Sequence, residues 1–292
     1  MSKNPEQLVA EADKLLKKGW FSFLSPDNHD KAHDALFSAG TQYKAMGDFA
    51  NAARVFERAA DLCRKHKNEI DLVVDLEEAA RCYVKALNTD LAVRLYEDII
   101  EFYDKKRQNT KAAKACMSVS EIYEGQEEAA VWLERAAKYH EAQGSHTMAS
   151  DAQKSMADLM MKKNKYEDAF KLYDQLARKA LEDRVSRLGA RNLFFMALLA
   201  QLSTITANAI SVGVDALRER FTFYQELDPQ FSEHTREHML ISGVIEALEA
   251  ESLEKMKDAI DSYSKICTVN DTKDAVFTKA TKLLEGRGES IL

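Results

Sequence analysis

The chain has 292 residues, 46% hydrophobic and 30% charged, with a formal net charge of −7 at pH 7. That apolar content excludes a disordered chain, and the acidic balance lacks the basic footprint that a nucleic-acid backbone demands. Three prolines and ten glycines punctuate it, none between Asp48 and Glu124, where helix-favouring Ala, Leu, Glu, Lys and Arg abound. No Asn-Gly or Asp-Gly hairpin turn and no sustained alternation of β-branched residues occurs, so the expected fold class is all-α. The polar start, Ser2-Lys3-Asn4-Pro5, does not read as a signal peptide. Four scattered cysteines, with no Cys-x-x-Cys pair, read as reduced cytosolic thiols.

Taken along the chain, the first feature is Trp20-Phe21-Ser22-Phe23-Leu24, ahead of Ser25-Pro26-Asp27-Asn28. Four large apolar residues in five positions read as a loop between two helices. Exposing them costs roughly 1.5–3 kcal/mol per large side chain relative to burial. The cluster therefore meets a greasy partner or caps the first helix pair.

A repeat follows: Ala, three residues, a large apolar residue, then an acid. It reads Ala52…Phe56-Glu57, Ala92…Tyr96-Glu97, Ala129…Leu133-Glu134 and Ala169…Tyr173-Asp174, spaced 40, 37 and 40 residues apart, with a looser copy at Ala259…Tyr263-Ser264. Positions i and i+4 share a helix face, so the small residue admits a neighbouring helix and the large one fills the gap beside it. A further helix precedes each copy, such as Asp71–Ala86 or Lys111–Tyr123. Short polar turns join them, such as Asn88-Thr89-Asp90 and Lys163-Asn164-Lys165. These are tetratricopeptide-like helical hairpins, longer than the usual repeat of about 34 residues. They predict a solenoid, a twisted helical sheet with a broad binding surface, over residues 1–187.

Residues 188–292 are expected to form a C-terminal helical bundle with a short flexible tail. From Asn192 to Val214 no charge appears, but Gln201, Ser203, Thr204, Thr206, Asn208 and Ser211 interrupt the run, which favours a buried helix over a membrane span. After the Asp228-Pro229 turn, His234-Thr235-Arg236-Glu237-His238 matches a His-x-x-Glu-His zinc-protease pattern. A catalytic zinc also needs a third ligand and a cleft, and no histidine follows, so a charged helix start is the plainer reading. No phosphate loop or nucleophile elbow occurs; neither catalytic residue, cofactor nor metal is expected. The helix around Ile245–Asp261 carries Glu246, Glu249, Glu251 and Glu254 on its outer positions, and the chain ends Gly286-Arg287-Gly288-Glu289-Ser290-Ile291-Leu292.

The chain resembles the soluble NSF attachment proteins, the SNAP adaptors of membrane fusion, nearer the alpha type than the gamma type. The resemblance rests on Ala10–Ala12, the Trp20–Leu24 cluster, Ser120-Glu121-Ile122-Tyr123-Glu124 and Leu193-Phe194-Phe195. It continues through Asp228-Pro229-Gln230-Phe231-Ser232, Arg236-Glu237 and the Glu289–Leu292 tail, in order along the chain. It implies an adaptor, not an enzyme, cytoplasmic and peripherally associated with membranes. Such an adaptor is a monomer in solution, and several copies wrap a four-helix SNARE bundle and recruit the hexameric AAA+ ATPase NSF. By position, the basic SNARE-binding face falls on Lys85, Arg107, Lys114, Arg191 and Arg236. Two further basic positions fall near Gly47 and Asp151, with Lys44 and Lys154 as the nearby substitutes. The resemblance also assigns membrane contact to Trp20, Phe21, Phe23 and Leu24, and NSF binding to Glu246, Glu249, Glu251, Ile291 and Leu292. Ile291 stands where the family has its stimulatory leucine. The alternatives are a generic helical-repeat scaffold and, further off, a zinc hydrolase using residues 234–238.

Overall fold

A computed structural model describes residues 3–18, 26–231 and 234–285. Among the described residues the chain is all-α, with fourteen helices and no strand. The first seven are α1 (Pro5–Lys18), α2 (Pro26–Ala45), α3 (Phe49–His66), α4 (Glu69–Lys85), α5 (Thr89–Lys105), α6 (Asn109–Ile122) and α7 (Glu128–Ala142). The second seven are α8 (His146–Lys162), α9 (Tyr166–Glu182), α10 (Arg187–Leu202), α11 (Ile210–Leu227), α12 (Arg236–Glu249), α13 (Leu253–Ser264) and α14 (Asp271–Lys282). The chain divides into two compact units between Ser145 and His146. This division falls about forty residues before the 187/188 break that the repeat spacing suggests. The reason is packing: α9 lies extensively against α10, and α14 touches both α10 and α8. The last regular hairpin, α8–α9, therefore belongs with the bundle.

In the first unit each helix packs on its sequence neighbours, from α1 on α2 through α6 on α7. The repeat residues occupy the core face of the odd-numbered helices. Ala52, Ala92, Ala129 and Ala169 are buried, as are Phe56, Tyr96, Leu133 and Tyr173. In the first and fourth copies the acid that ends the repeat also has a structural use. Glu57 on α3 accepts from the Tyr83 hydroxyl on α4 (2.8 Å) and pairs with Arg94 on α5. Asp174 on α9 accepts from the Tyr224 hydroxyl (2.6 Å) and from Arg178 (2.8 and 3.1 Å).

Helix ends recur with one geometry. Gly47, Lys67, Leu87 and Arg107 adopt φ of 79°, 58°, 57° and 55°. The amide after each reaches back to the preceding helix: Asp48 to Tyr43 (2.9 Å), Asn68 to Cys63 (3.0 Å), Asn88 to Tyr83 (2.9 Å) and Gln108 to Tyr103 (2.9 Å). This is the Schellman stop, which satisfies carbonyls the helix end would otherwise orphan. Asp48 and Asn68 then cap the following helix by accepting from the amides of Asn51 and Asp71. One residue both ends a helix and positions the start of the next, which keeps the hairpin turns short. Asn164 repeats the stop in the second unit, with Lys165 N–H bonding Met160 O at 2.9 Å.

The second unit is built around α10, whose Phe194, Phe195, Ala197, Leu198, Leu199 and Ala200 are all 0–1% exposed. The uncharged run is not one helix. It breaks at Ser203–Ala209 and resumes in α11, and Ser203, Thr204, Thr206 and Asn208 of the interrupting polar residues fall in that break. No described helix is long and apolar enough to cross a membrane. The Asp228-Pro229 turn buries Phe231 fully, its ring 5.6 Å from that of Phe221. The acidic stretch expected as one helix around Ile245–Asp261 is two. Glu251 takes φ 46°, Ser252 N–H returns to Ala247 O at 2.9 Å, and the Ser252 hydroxyl caps α13 by accepting from the Lys255 amide.

Candidate functional site

A groove of about 650 Å³ runs along α4, α5 and α6 in the first unit. Helix periodicity builds it: Arg81 and Lys85 lie one turn apart on α4, Lys111 and Lys114 one turn apart on α6, and Tyr96 and Tyr103 form its floor on α5. Four cations (Arg81, Lys85, Lys111, Lys114) face two carboxylates, Glu77 and Glu121. Burial first, then the hydrogen bond to Glu77 (2.8 Å), pushes the Tyr103 hydroxyl well above its ordinary pKa, so it stays a neutral donor. Lys85 reaches over Phe49, 5.0 Å from the ring centre, and Lys111 over Tyr103 at 5.2 Å. Among the described residues Lys114 is exposed and makes no ion pair.

The structure thus brings Lys85 and Lys114 together. It does not bring Arg107 to them: that residue holds the left-handed position of the α5–α6 turn and does not line the groove. Lys111 and Arg81 escaped the sequence reading, although their spacing to Lys114 and Lys85 was a usable signal. The nearby substitutes are engaged elsewhere. Lys44 pairs with Glu78 at 2.5 Å and Lys154 with Asp158 at 2.8 Å. Burial pushes the Glu78 carboxyl up, but its hydrogen bonds to Lys44 and Arg81 outweigh this and hold it below its usual range.

In the second unit Arg191 lies 3.8 Å from Glu237, which brings it to the first turn of α12. Arg236 donates toward Ile266 O at 3.5 Å. It also borders a groove of about 490 Å³ between α12 and α13, lined by Met239, Gly243, Glu246, Lys255 and Ile266 among others. Gly243 permits this close approach: a Cβ there would stand 2.9 Å from that of Ala259. Of the acidic residues, Glu246 faces this groove, Glu249 pairs with Arg218, and Glu251 holds the turn between the helices. All three are exposed, Glu246 and Glu249 on α12 and Glu251 in the turn that follows it.

The His234–His238 segment forms the start of α12. Thr235 caps it by accepting from the His238 amide (3.2 Å), the His238 ring lies 4.9 Å from that of Phe221, and Glu237 meets Arg191. Among the described residues three potential metal-ligating groups converge elsewhere, at His33, Cys63 and Asp75, with one ligand atom of each within 4.8 Å of the others. The hydrogen bond to Asp75 raises the His33 pKa against the opposing effect of burial, while burial and then the Asp75 charge push the Cys63 thiol up to about 12. Trp20, Phe21, Phe23 and Leu24, and likewise Ile291 and Leu292, lie outside the described residues.

Comparison with known proteins gives a consistent result. The family model described as "Soluble NSF attachment protein, SNAP" matches residues 3–285. The chain is 25% identical to the alpha-soluble NSF attachment protein of Mus musculus, covering 97% of this chain and 96% of that one. It is 27% identical to a probable vesicular-fusion protein sec17 homolog of Neurospora crassa, over 95% of each. A soluble NSF attachment protein homolog of Fowlpox virus is 24% identical, over 91% of this chain and 93% of that one.

Proposed function

The chain belongs to the soluble NSF attachment protein family, and on that premise we propose that it is an adaptor that binds assembled SNARE bundles and brings a hexameric NSF-type AAA+ ATPase to them. The observation that carries the reading is the groove in which Lys85 and Lys114 lie together, inside a family match that spans residues 3–285. A basic groove floored by tyrosine suits an acidic helical bundle. The cations supply long-range attraction and register, and the aromatic faces supply contact area once docked. Lys111 and Arg81 join Lys85 and Lys114 in this role. Arg107 acts from the adjoining turn, and Arg191 and Arg236 form a separate basic position on the second unit. Glu246, Glu249 and Glu251, with the tail Ile291 and Leu292, are the ATPase-facing elements. Trp20, Phe21, Phe23 and Leu24 touch the bilayer, so that the protein works in the cytoplasm at membrane surfaces. It is a monomer in solution, several copies act on one SNARE bundle, and the adaptor has no catalytic centre or nucleic-acid partner of its own.

Reconstituted disassembly tests this. Wild-type chain with an NSF-type ATPase and ATP should take apart preassembled SNARE bundles. Lys85→Glu combined with Lys114→Glu should weaken SNARE binding at least about tenfold, or about 1.4 kcal/mol, and flatten its salt dependence. At physiological ionic strength the screening length is about 8 Å, so losing attractive charge shows most at low salt. Both lysines are exposed, so the melting temperature should hold. Binding that survives the double reversal with its salt slope unchanged removes the groove from the reading.

A further inference from the structure

Three consecutive helices of the first unit each supply one side chain to a single buried point: His33 from α2, Cys63 from α3 and Asp75 from α4. Asp75 is 0% exposed. Its Oδ2 accepts from His33 Nε2 at 2.8 Å and from Cys63 Sγ at 3.5 Å. Its other oxygen, Oδ1, is buried and makes no hydrogen bond. A buried carboxylate oxygen without a partner has lost its hydration and gained nothing in return, and native structures contain few such atoms. A second one stands nearby. His29, one turn before His33, stacks on His66 with ring centroids 3.7 Å apart, and His29 Nδ1 is likewise buried without a hydrogen bond. His66 in turn lies one turn after Cys63. Two histidines one turn apart on α2 thus face a cysteine and a histidine one turn apart on α3, with a buried carboxylate from α4 beside them.

We propose that His33 Nε2, Cys63 Sγ and an Asp75 carboxylate oxygen bind a divalent cation of borderline softness, with Zn²⁺ the fitting ion. Imidazole, thiolate and carboxylate are the donors zinc takes, whereas the thiolate disfavours calcium and magnesium. The spacing is compatible: a tetrahedral zinc holds its donors about 3.4 Å apart, so the His33–Asp75 contact would open by about half an ångström. The charges also balance. Zn²⁺ with one thiolate and one carboxylate is neutral, which suits a buried site better than a lone carboxylate does. On binding, the Cys63 thiol proton leaves to solvent and His33 coordinates as neutral imidazole, with the fourth position held by water. The ion would tie α2, α3 and α4 together within the stacked unit, and metal-binding energy would become folding energy. This inference is independent of the adaptor reading.

The test uses the full chain, stripped with a chelator and titrated with Co²⁺ and then Zn²⁺. Cobalt should give a thiolate-to-metal charge-transfer band, one zinc per chain should abolish it, and zinc should raise the melting temperature by mass action. Cys63→Ser should lose the band, while Cys82→Ser and Cys267→Ser should keep it. A wild-type protein that shows no band and no thermal shift with zinc overturns the proposal, whether or not the Cys63 variant folds. So does a band that survives Cys63→Ser, or one that disappears with Cys267→Ser, which would place the metal beside Arg236 instead.

Discussion

The two units bury comparable helices in different ways. In the first, α1 to α7 pack in sequence order, so each helix depends on the one before and the one after. In the second, α14 returns to α10 and α8, and that closure surrounds a helix whose centre is almost wholly inaccessible. An open stack spreads its stability over many small interfaces and leaves grooves such as the one along α4, α5 and α6. A closed bundle concentrates its stability in one core. The stack is therefore suited to presenting side chains to a long partner, and it should yield locally where the bundle yields as a whole.

The largest effect should come from the closed core. Phe194 is 0% exposed and stacks on Tyr224 with ring centroids 4.3 Å apart. Phe194→Ala should cost about 3–5 kcal/mol, read by denaturant unfolding. Amide-exchange protection should fall across α8 to α14 together. Protection lost only in α10 and α11 would show that the bundle is no more cooperative than the stack.

A smaller and more local effect is expected at Gly40. A Cβ there would lie 2.8 Å from the Phe56 ring, so the bare backbone of α2 is what lets the first repeat aromatic pack. Gly40→Leu should cost about 1–3 kcal/mol by overpacking. Exchange protection should drop in α2, α3 and α4 while α6 and α7 hold. Equal loss in α7 would erase the contrast between the units.

The smallest effect concerns the Lys44–Glu78 pair, which ties α2 to α4 in the stack. The folded-state pKa of Glu78 lies below its unfolded value of 4.5. Its contribution is therefore present above that value and lost as pH falls through the folded pKa. Lys44→Met should remove less than about 1 kcal/mol at neutral pH, and its unfolding midpoint should converge with that of wild type on acidification below pH 4.5. Parallel curves at all pH values would mean the pair contributes nothing.

Much of this was present in the residues themselves. The Ala-x₃-large-acid repeat marks α3, α5, α7 and α9 because positions i and i+4 must share a face whatever surrounds them, and the turn at Lys163–Lys165 fell where its residues placed it. Lys85 and Lys114 came among the candidates through the family resemblance. What the chain order could not convey was which helices lie beside one another. The return of α14 to α8 moves the division from 187/188 to 145/146, and no local pattern encodes a contact between helices over a hundred residues apart. The acidic stretch read as one helix because Glu251 is an ordinary helix former, and only the amide of Ser252 bonding back to Ala247 ends it there. Arg107 looked like a neighbour of Lys114 until the turn placed it in a left-handed conformation away from the groove. His33, Cys63 and Asp75 drew no notice at all, being 30 and 12 residues apart. The sequence by itself determined the helices, their repeating faces and the family. The tertiary structure decided which side chains share a site, because local periodicity fixes the direction of a side chain along its own helix but not the neighbour it meets.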